Sequence, residues 1–168
     1  TPDKPAYIMA SSGETVTYGE LDKRSNQIAH AFRTLGLKHG DTLAIFAENS
    51  PRYFEICWGA QRAGLYFVCI SSRLTVPEVE YIIQDSGARL LIASEGLKAV
   101  ASEVAQVTDL DAYWSIDGPI EGYEPLEGVR AGMPEQPISD ERAGSDMLYS
   151  SGTTGRPKGA MLGHSQLS

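Results

Sequence analysis

The sequence has little cysteine, little histidine and no long apolar run. Two cysteines in 168 residues do not make a disulfide framework. Cys57 and Cys69 both sit in apolar segments and read as small buried hydrophobes rather than metal ligands or nucleophiles. The histidines are scattered: His30 on a helical pattern, His39 in the turn Lys38-His39-Gly40, and His164 near the end. None has a carboxylate or cysteine partner at ligand spacing, so no metal site is assigned to them. No stretch is apolar enough to cross a membrane and no signal peptide is visible, so a cytoplasmic location is expected. Basic residues are outnumbered, with 14 Lys and Arg against 22 Asp and Glu and a net charge of −8. That balance argues against a nucleic-acid surface. No Gly-x-Gly-x-x-Gly follows any candidate strand, which removes the dinucleotide-binding fingerprint.

What is present is an alternation of strands and helices. Ala6 to Ala10 and Glu14 to Thr17 flank a polar turn and read as a hairpin. Thr17-x-x-Glu20 is a capping box, and Leu21, Ile28, Phe32 and Leu35 follow at helical spacing up to a stop at Gly36. Thr42 to Ala47 is an apolar run of strand length. Ser50-Pro51 then supplies a cap and a first-turn proline, and Phe54, Cys57, Trp58 and Gln61 fall on one helical face. Leu65 to Ile70, Leu90 to Ala93 and Ala112 to Ile116 are further strands. A second capping box, Thr75-x-x-Glu78, opens the helix of Val79, Ile82 and Ile83, and Leu97 to Val107 carries another. Continuous apolar strands separated by helices predict an α/β fold: a doubly wound, largely parallel sheet with flanking helices.

Three stretches follow from this reading. Residues 1–116 form the α/β subdomain. Residues 117–144 are rich in Gly, Pro and acidic side chains and read as a solvated connector. Residues 145–168 hold a short strand, a polar loop and a strand leading away.

The loop is the most informative part of the chain. Tyr149-Ser150-Ser151-Gly152-Thr153-Thr154-Gly155-Arg156-Pro157-Lys158-Gly159 has no large apolar side chain after Tyr149. Glycines let a backbone approach a ligand closely, and successive N–H groups in such a turn form a concave anion site. Hydroxyls add donors, and Lys158 adds a point charge suited to phosphate. Pro157 stiffens the exit. The chemistry this suits is grip on a polyphosphate. The loop is not a Walker A motif, because Pro157 precedes Lys158 and Gly159 stands where Ser or Thr is required.

Tyr149 to Gly159 closely resembles the phosphate-binding signature of the adenylate-forming enzymes: acyl-CoA synthetases, peptide-synthetase adenylation domains and luciferases. Thr17-Tyr18-Gly19-Glu20-Leu21, Gly64 to Ile70 and Leu74-Thr75-Val76-Pro77-Glu78 resemble segments that precede that loop in acyl-CoA synthetases. The resemblance implies that the chain is an incomplete, N-terminal piece of the large N-terminal domain of that fold, since it opens at Thr1-Pro2 and stops soon after the loop. It implies a reaction in which a carboxylate, of the fatty-acid class on this resemblance, attacks the α-phosphate of ATP, and coenzyme A then displaces AMP. It also implies roles for residues. Ser150, Ser151, Gly152, Thr153, Thr154, Gly155 and Lys158 bind the ATP phosphates, Lys158 acts in catalysis, and the Ser150 hydroxyl reaches Mg²⁺. Two alternatives stay open: an adenylation unit of a peptide synthetase, or a nucleotide- or phosphate-binding module without catalysis. Residues 152–158 are expected to be mobile, because little burial opposes the backbone entropy of about 1–2 kcal/mol per residue. The strands flanking the loop are expected to present edges on which a second copy can pair.

Overall fold

The computed structural model describes residues 1–151 and 157–161; for Ser150, Ser151, Pro157, Lys158, Ala160 and Met161 it describes the backbone. Strands β1 (Pro5–Ile8) and β2 (Thr15–Thr17) form the expected antiparallel hairpin, a two-stranded sheet of their own. Helix α1 (Tyr18–Thr34) begins at the capping box. The Glu20 backbone N–H donates to the Thr17 hydroxyl at 3.2 Å, and the Glu20 carboxylate accepts the Thr17 N–H at 2.9 Å. The Thr17 hydroxyl also donates to that carboxylate at 3.0 Å, and the Thr17 N–H first, then the hydroxyl, lowers the carboxyl's affinity for its proton.

The main sheet has the order β7-β6-β5-β3-β4-β8-β9. Its central strand β3 (Thr42–Phe46) is buried along its whole length. It pairs in parallel with β4 (Tyr66–Ile70) on one side and β5 (Ala88–Ser94) on the other. Strand β6 (Ala112–Ile116) extends the parallel sheet beyond β5, and β7 (Glu124–Pro125) lies beyond β6. On the far side, β8 (Ser145–Ser151) runs parallel to β4, and β9 (Pro157–Met161) turns back antiparallel to β8. Between strands run α2 (Pro51–Arg62), α3 (Val76–Ser86), α4 (Lys98–Val107) and α5 (Leu126–Arg130). The expected doubly wound sheet is therefore present. β8, expected as an exposed edge, is instead flanked on both sides, and β9 is the terminal strand among the described residues.

Side-chain alternation along β3 divides the core in two. Leu43 and Ile45 join Ile28 and Phe32 of α1 and Ile56 of α2 on one face. Ala44 and Phe46 join Val79, Ile82 and Ile83 of α3 and Val104 of α4 on the other. Each fully buried large aliphatic side chain contributes about 1.5–3 kcal/mol. Phe32 lies parallel to Trp114 of β6 with ring centroids 5.7 Å apart, which seats α1 on the sheet. α1 and α2 approach closely at Gly59, where a Cβ would stand 2.7 Å from the Ile28 side chain.

Two expectations are corrected. The buried residues of α2 are Glu55, Ile56, Gly59 and Ala60, while Phe54 and Trp58 are 53% and 48% exposed. The reason is the carboxylate of Glu55. It is fully buried and held by Arg24 at 2.9 Å, Arg52 at 2.8 Å and Arg130 at 3.0 Å. A buried charge persists only when paired and hydrogen-bonded, and these partners rotate the helix so that Glu55 faces inward. Second, residues 117–144 are more than a solvated connector. They carry β7 and α5 and put Ile120, Tyr123, Leu126 and Ile138 into the core. Arg130 of α5 is one of the Glu55 partners, so the carboxylate also ties this segment down.

Removing one member of a buried ion cluster leaves the others uncompensated. Glu55→Gln is therefore expected to destabilise the chain by about 3–5 kcal/mol, read as a lower urea midpoint at unchanged slope. A loss below about 1 kcal/mol, the worth of a surface pair, would show that the cluster is solvated.

Candidate functional site

β8 delivers the polar loop, and a backbone contact seats β8. The Gly144 N–H donates to the Gln61 carbonyl at 2.7 Å, and the Ser145 N–H to the Leu65 carbonyl at 3.1 Å. A Cβ on Gly144 would stand 2.3 Å from the Leu65 carbonyl oxygen and 2.8 Å from that of Ala60. Only glycine fits there. From this start β8 runs beside β4, pairing Tyr66 with Ser145, Phe67 with Asp146 and Val68 with Met147. Past Met147 its recorded pairing is with β9 alone.

Alternation then sorts the β8 side chains. Met147 and Tyr149 pack on the α3 and α4 side, whereas Leu148 is 52% exposed. The Tyr149 hydroxyl donates to the Asp85 carboxylate of α3 at 2.7 Å. Burial, then that hydrogen bond, pushes the hydroxyl above the ordinary tyrosine range. Opposite Tyr149 in the ladder stands Gly159, where a Cβ would come within 2.9 Å of the ring. The aromatic ring thus lies across a bare strand position and fixes the two strands against each other.

The register continues with Ser150 opposite Lys158 and Ser151 opposite Pro157. The backbone thus brings together three of the residues singled out from the sequence, from the two sides of the turn. Pro157 and Lys158, expected within the loop, begin β9, so that strand starts two residues before Gly159. Gly152, Thr153, Thr154, Gly155 and Arg156 lie outside the described residues, and with them most of the segment expected to be mobile. Because β8 is parallel to β4, Ser150 and Ser151 sit at the carboxyl edge of the sheet. In open α/β sheets that edge is where ligands bind. Gly144, Asp85 and the pairing of Tyr149 with Gly159 were not legible in the sequence. Their roles come from strands and helices far apart in the chain, and no local spacing marks them.

No steric relief is available at Gly144, since the obstructing atoms are backbone. Gly144→Ala should shift the start of β8 and destabilise the chain by about 1–3 kcal/mol, the usual cost of overpacking. Amide exchange would show the loss concentrated in residues 145–149; protection there equal to the parent's would contradict this seating.

The AMP-binding enzyme family model matches residues 1–168. The fatty acid–[acyl-carrier-protein] ligase ScoC of Streptomyces coeruleorubidus is 34% identical over 97% of this chain and 30% of its own length. Surfactin synthase subunit 2 of Bacillus subtilis is 34% identical over 98% of this chain and 4% of its own length. Among solved structures, the anthranilate CoA ligase AuaEII in complex with anthranoyl-AMP superposes with a TM-score of 0.85 at 26% identity. That likeness covers 97% of this chain and 32% of the ligase. The chain thus spans about a third or less of the length of these relatives. With the family model matching throughout, the chain belongs to the AMP-binding, adenylate-forming enzymes.

Proposed function

We propose that this chain carries the polyphosphate grip of an ATP-dependent acid–thiol ligase. The whole enzyme activates a carboxylic acid, of the fatty-acid class, as an acyl-adenylate and passes the acyl group to coenzyme A. The observation that supports this most directly is the β8–β9 register, with Ser150 opposite Lys158 at the carboxyl edge of a parallel sheet. Residues on both sides of one turn then converge where a chain of phosphates can lie. In attack of a carboxylate oxygen on the α-phosphorus, negative charge spreads over the phosphoryl oxygens and the departing pyrophosphate. Preorganised N–H groups, hydroxyls and a fixed cation favour that state without covalent chemistry. Ser150, Ser151, Thr153 and Thr154 donate to the β- and γ-phosphates, the backbone at Gly152 and Gly155 allows close approach, and Lys158 supplies positive charge.

Mg²⁺ keeps several waters and is held through one or two protein oxygens together with substrate phosphates, so the Ser150 hydroxyl would supply one oxygen to an ion bound to ATP. Among the described residues no group of three His, Cys, Asp or Glu side chains could hold a metal.

The acceptor has a second reading. A relative named as an acyl-carrier-protein ligase and a surfactin synthase subunit both match at 34% identity, which supports a carrier-protein thiol as the alternative to free coenzyme A. Supplying each thiol to the acyl-adenylate separates the two readings. Among the described residues no helix is long and apolar enough to cross a membrane.

In the complete enzyme, Lys158→Ala should slow carboxylate-dependent exchange of pyrophosphate into ATP by about 10²–10³, the usual worth of one preorganised contact. Carboxylate binding should change far less. An unchanged exchange rate would remove Lys158 from the mechanism. Residues 1–168 alone are expected to catalyse no exchange, since they span about a third or less of the length of these relatives; robust exchange by this piece would overturn that division of labour.

A further inference from the structure

Asp85 stands where a helix disfavours a negative charge. It lies in the last turn of α3, whose free carbonyls make that end partly negative, and the turn holds no basic residue to offset it. What the carboxylate meets is the Tyr149 hydroxyl of β8, 64 residues away in sequence, which donates to it at 2.7 Å.

The helix that presents Asp85 is fixed at both ends. At its start the Glu78 carboxylate accepts the Thr75 N–H at 2.8 Å and the Thr75 hydroxyl at 2.7 Å. At its finish Gly87 takes the left-handed conformation with φ 65°, and its N–H closes onto the Gln84 and Ile83 carbonyls. Val79, Ile82 and Ile83 seat the helix in the core. From this fixed point the contact reaches both strands that carry the candidate phosphate residues. The Tyr149 ring lies over Gly159, where a Cβ would stand 2.9 Å from Cζ and 3.0 Å from the hydroxyl oxygen. Tyr149 directly precedes Ser150, Gly159 directly follows Lys158, and Ser150 is opposite Lys158 in the ladder. The pairing of β8 with β4 ends at Met147, so the Asp85 contact enters just where the parallel sheet releases the strand.

We propose that Asp85 is a positioning residue for the adenylation step. Through the Tyr149 hydroxyl it holds the β8–β9 pair at the level of Ser150 and Lys158, so that groups on both sides of the turn meet the phosphates in one geometry. This role rests on the reading of the loop as a phosphate grip. Asp85 exchanges no proton and forms no bond with substrate; it acts by placement. Stabilising a phosphoryl transfer depends on donors already aimed where charge develops, and a misplacement of about 1 Å can cost about 10²-fold. Because the charge is unfavourable to its own helix, positioning can be separated from stabilisation.

The test uses the complete enzyme, assayed by carboxylate-dependent exchange of pyrophosphate into ATP. Asp85→Ala should lower kcat by about 10- to 100-fold and leave KM for the carboxylate unchanged. Its urea midpoint should stay at or above the parent's, since a charge opposed by the helix dipole is gone. Asp85→Asn keeps an acceptor oxygen and should restore most of the rate. Tyr149→Phe should reproduce the loss, and combining it with Asp85→Ala should add nothing further, as expected of two ends of one contact. Lys158→Ala, measured beside them, separates the two claims. If Lys158→Ala slows exchange and Asp85→Ala does not, the loop grips phosphate without this tether and the positioning role is wrong. If neither slows it, the phosphate reading fails and the role falls with it. Additive losses in the double variant, or a rate loss in Asp85→Ala matched by a lower urea midpoint, would equally overturn the role.

Discussion

A carboxylate wholly removed from water is the interaction around which one half of this structure is arranged. Glu55 is held by guanidinium groups from α1, α2 and α5. Arg52 reaches on to Glu14 of the N-terminal hairpin at 3.1 Å. Nearby, the Tyr7 hydroxyl donates to the Pro51 carbonyl, and burial, then the Glu55 charge, pushes it up to about 12. A paired charge of this kind is a geometric constraint more than a source of stability, since desolvation offsets much of the attraction. What it fixes is position: the rotation of α2, and the attachment of α5 to the sheet.

The other half is arranged around short backbone distances. Gly144 sets where β8 begins, and Gly159 lets the Tyr149 ring lie across β9. Tyr149 then reaches Asp85 on α3, so the strand that carries Ser150 is anchored on one core face by a side chain and in the sheet by its neighbours. The candidate phosphate grip is therefore a loop mounted on two paired strands, one of them continuous with the parallel sheet. A site built this way inherits the rigidity of the sheet at its two stems.

Features whose cause is local were legible in the sequence. The Thr17–Glu20 box and the Ser50-Pro51 helix start are each written within four residues, and the structure carries both. The alternation of apolar strands with helices was also enough for the parallel sheet. Three errors share one cause. Phe54 and Trp58 outweigh Glu55 in any reading by hydrophobicity, because the arginines that bring Glu55 inside lie up to 75 residues away. Ile120, Tyr123, Leu126 and Ile138 have no helical or strand period, so their burial could not be seen. Cys69 sits in an apolar strand and looked buried, but it is exposed, on a face of the sheet at the margin of α2. The loop suggests a polyphosphate grip through its residue types, while the register that sets Ser150 against Lys158 belongs to the paired strands.

The parallel pairing of β4 with β8 also sets an order of events during synthesis. Tyr66 of β4 must wait for Ser145 before its ladder closes, and everything between them is made first. Through that interval β4 is the outer strand of a growing sheet, with apolar side chains and unpaired backbone groups, and an open edge of that kind is a template for another chain. Non-local closure is also slow, because chain entropy is lost before any contact forms. The segment that finally covers the edge is the one that carries the candidate phosphate loop, so one strand both shields β4 and brings that loop to the sheet.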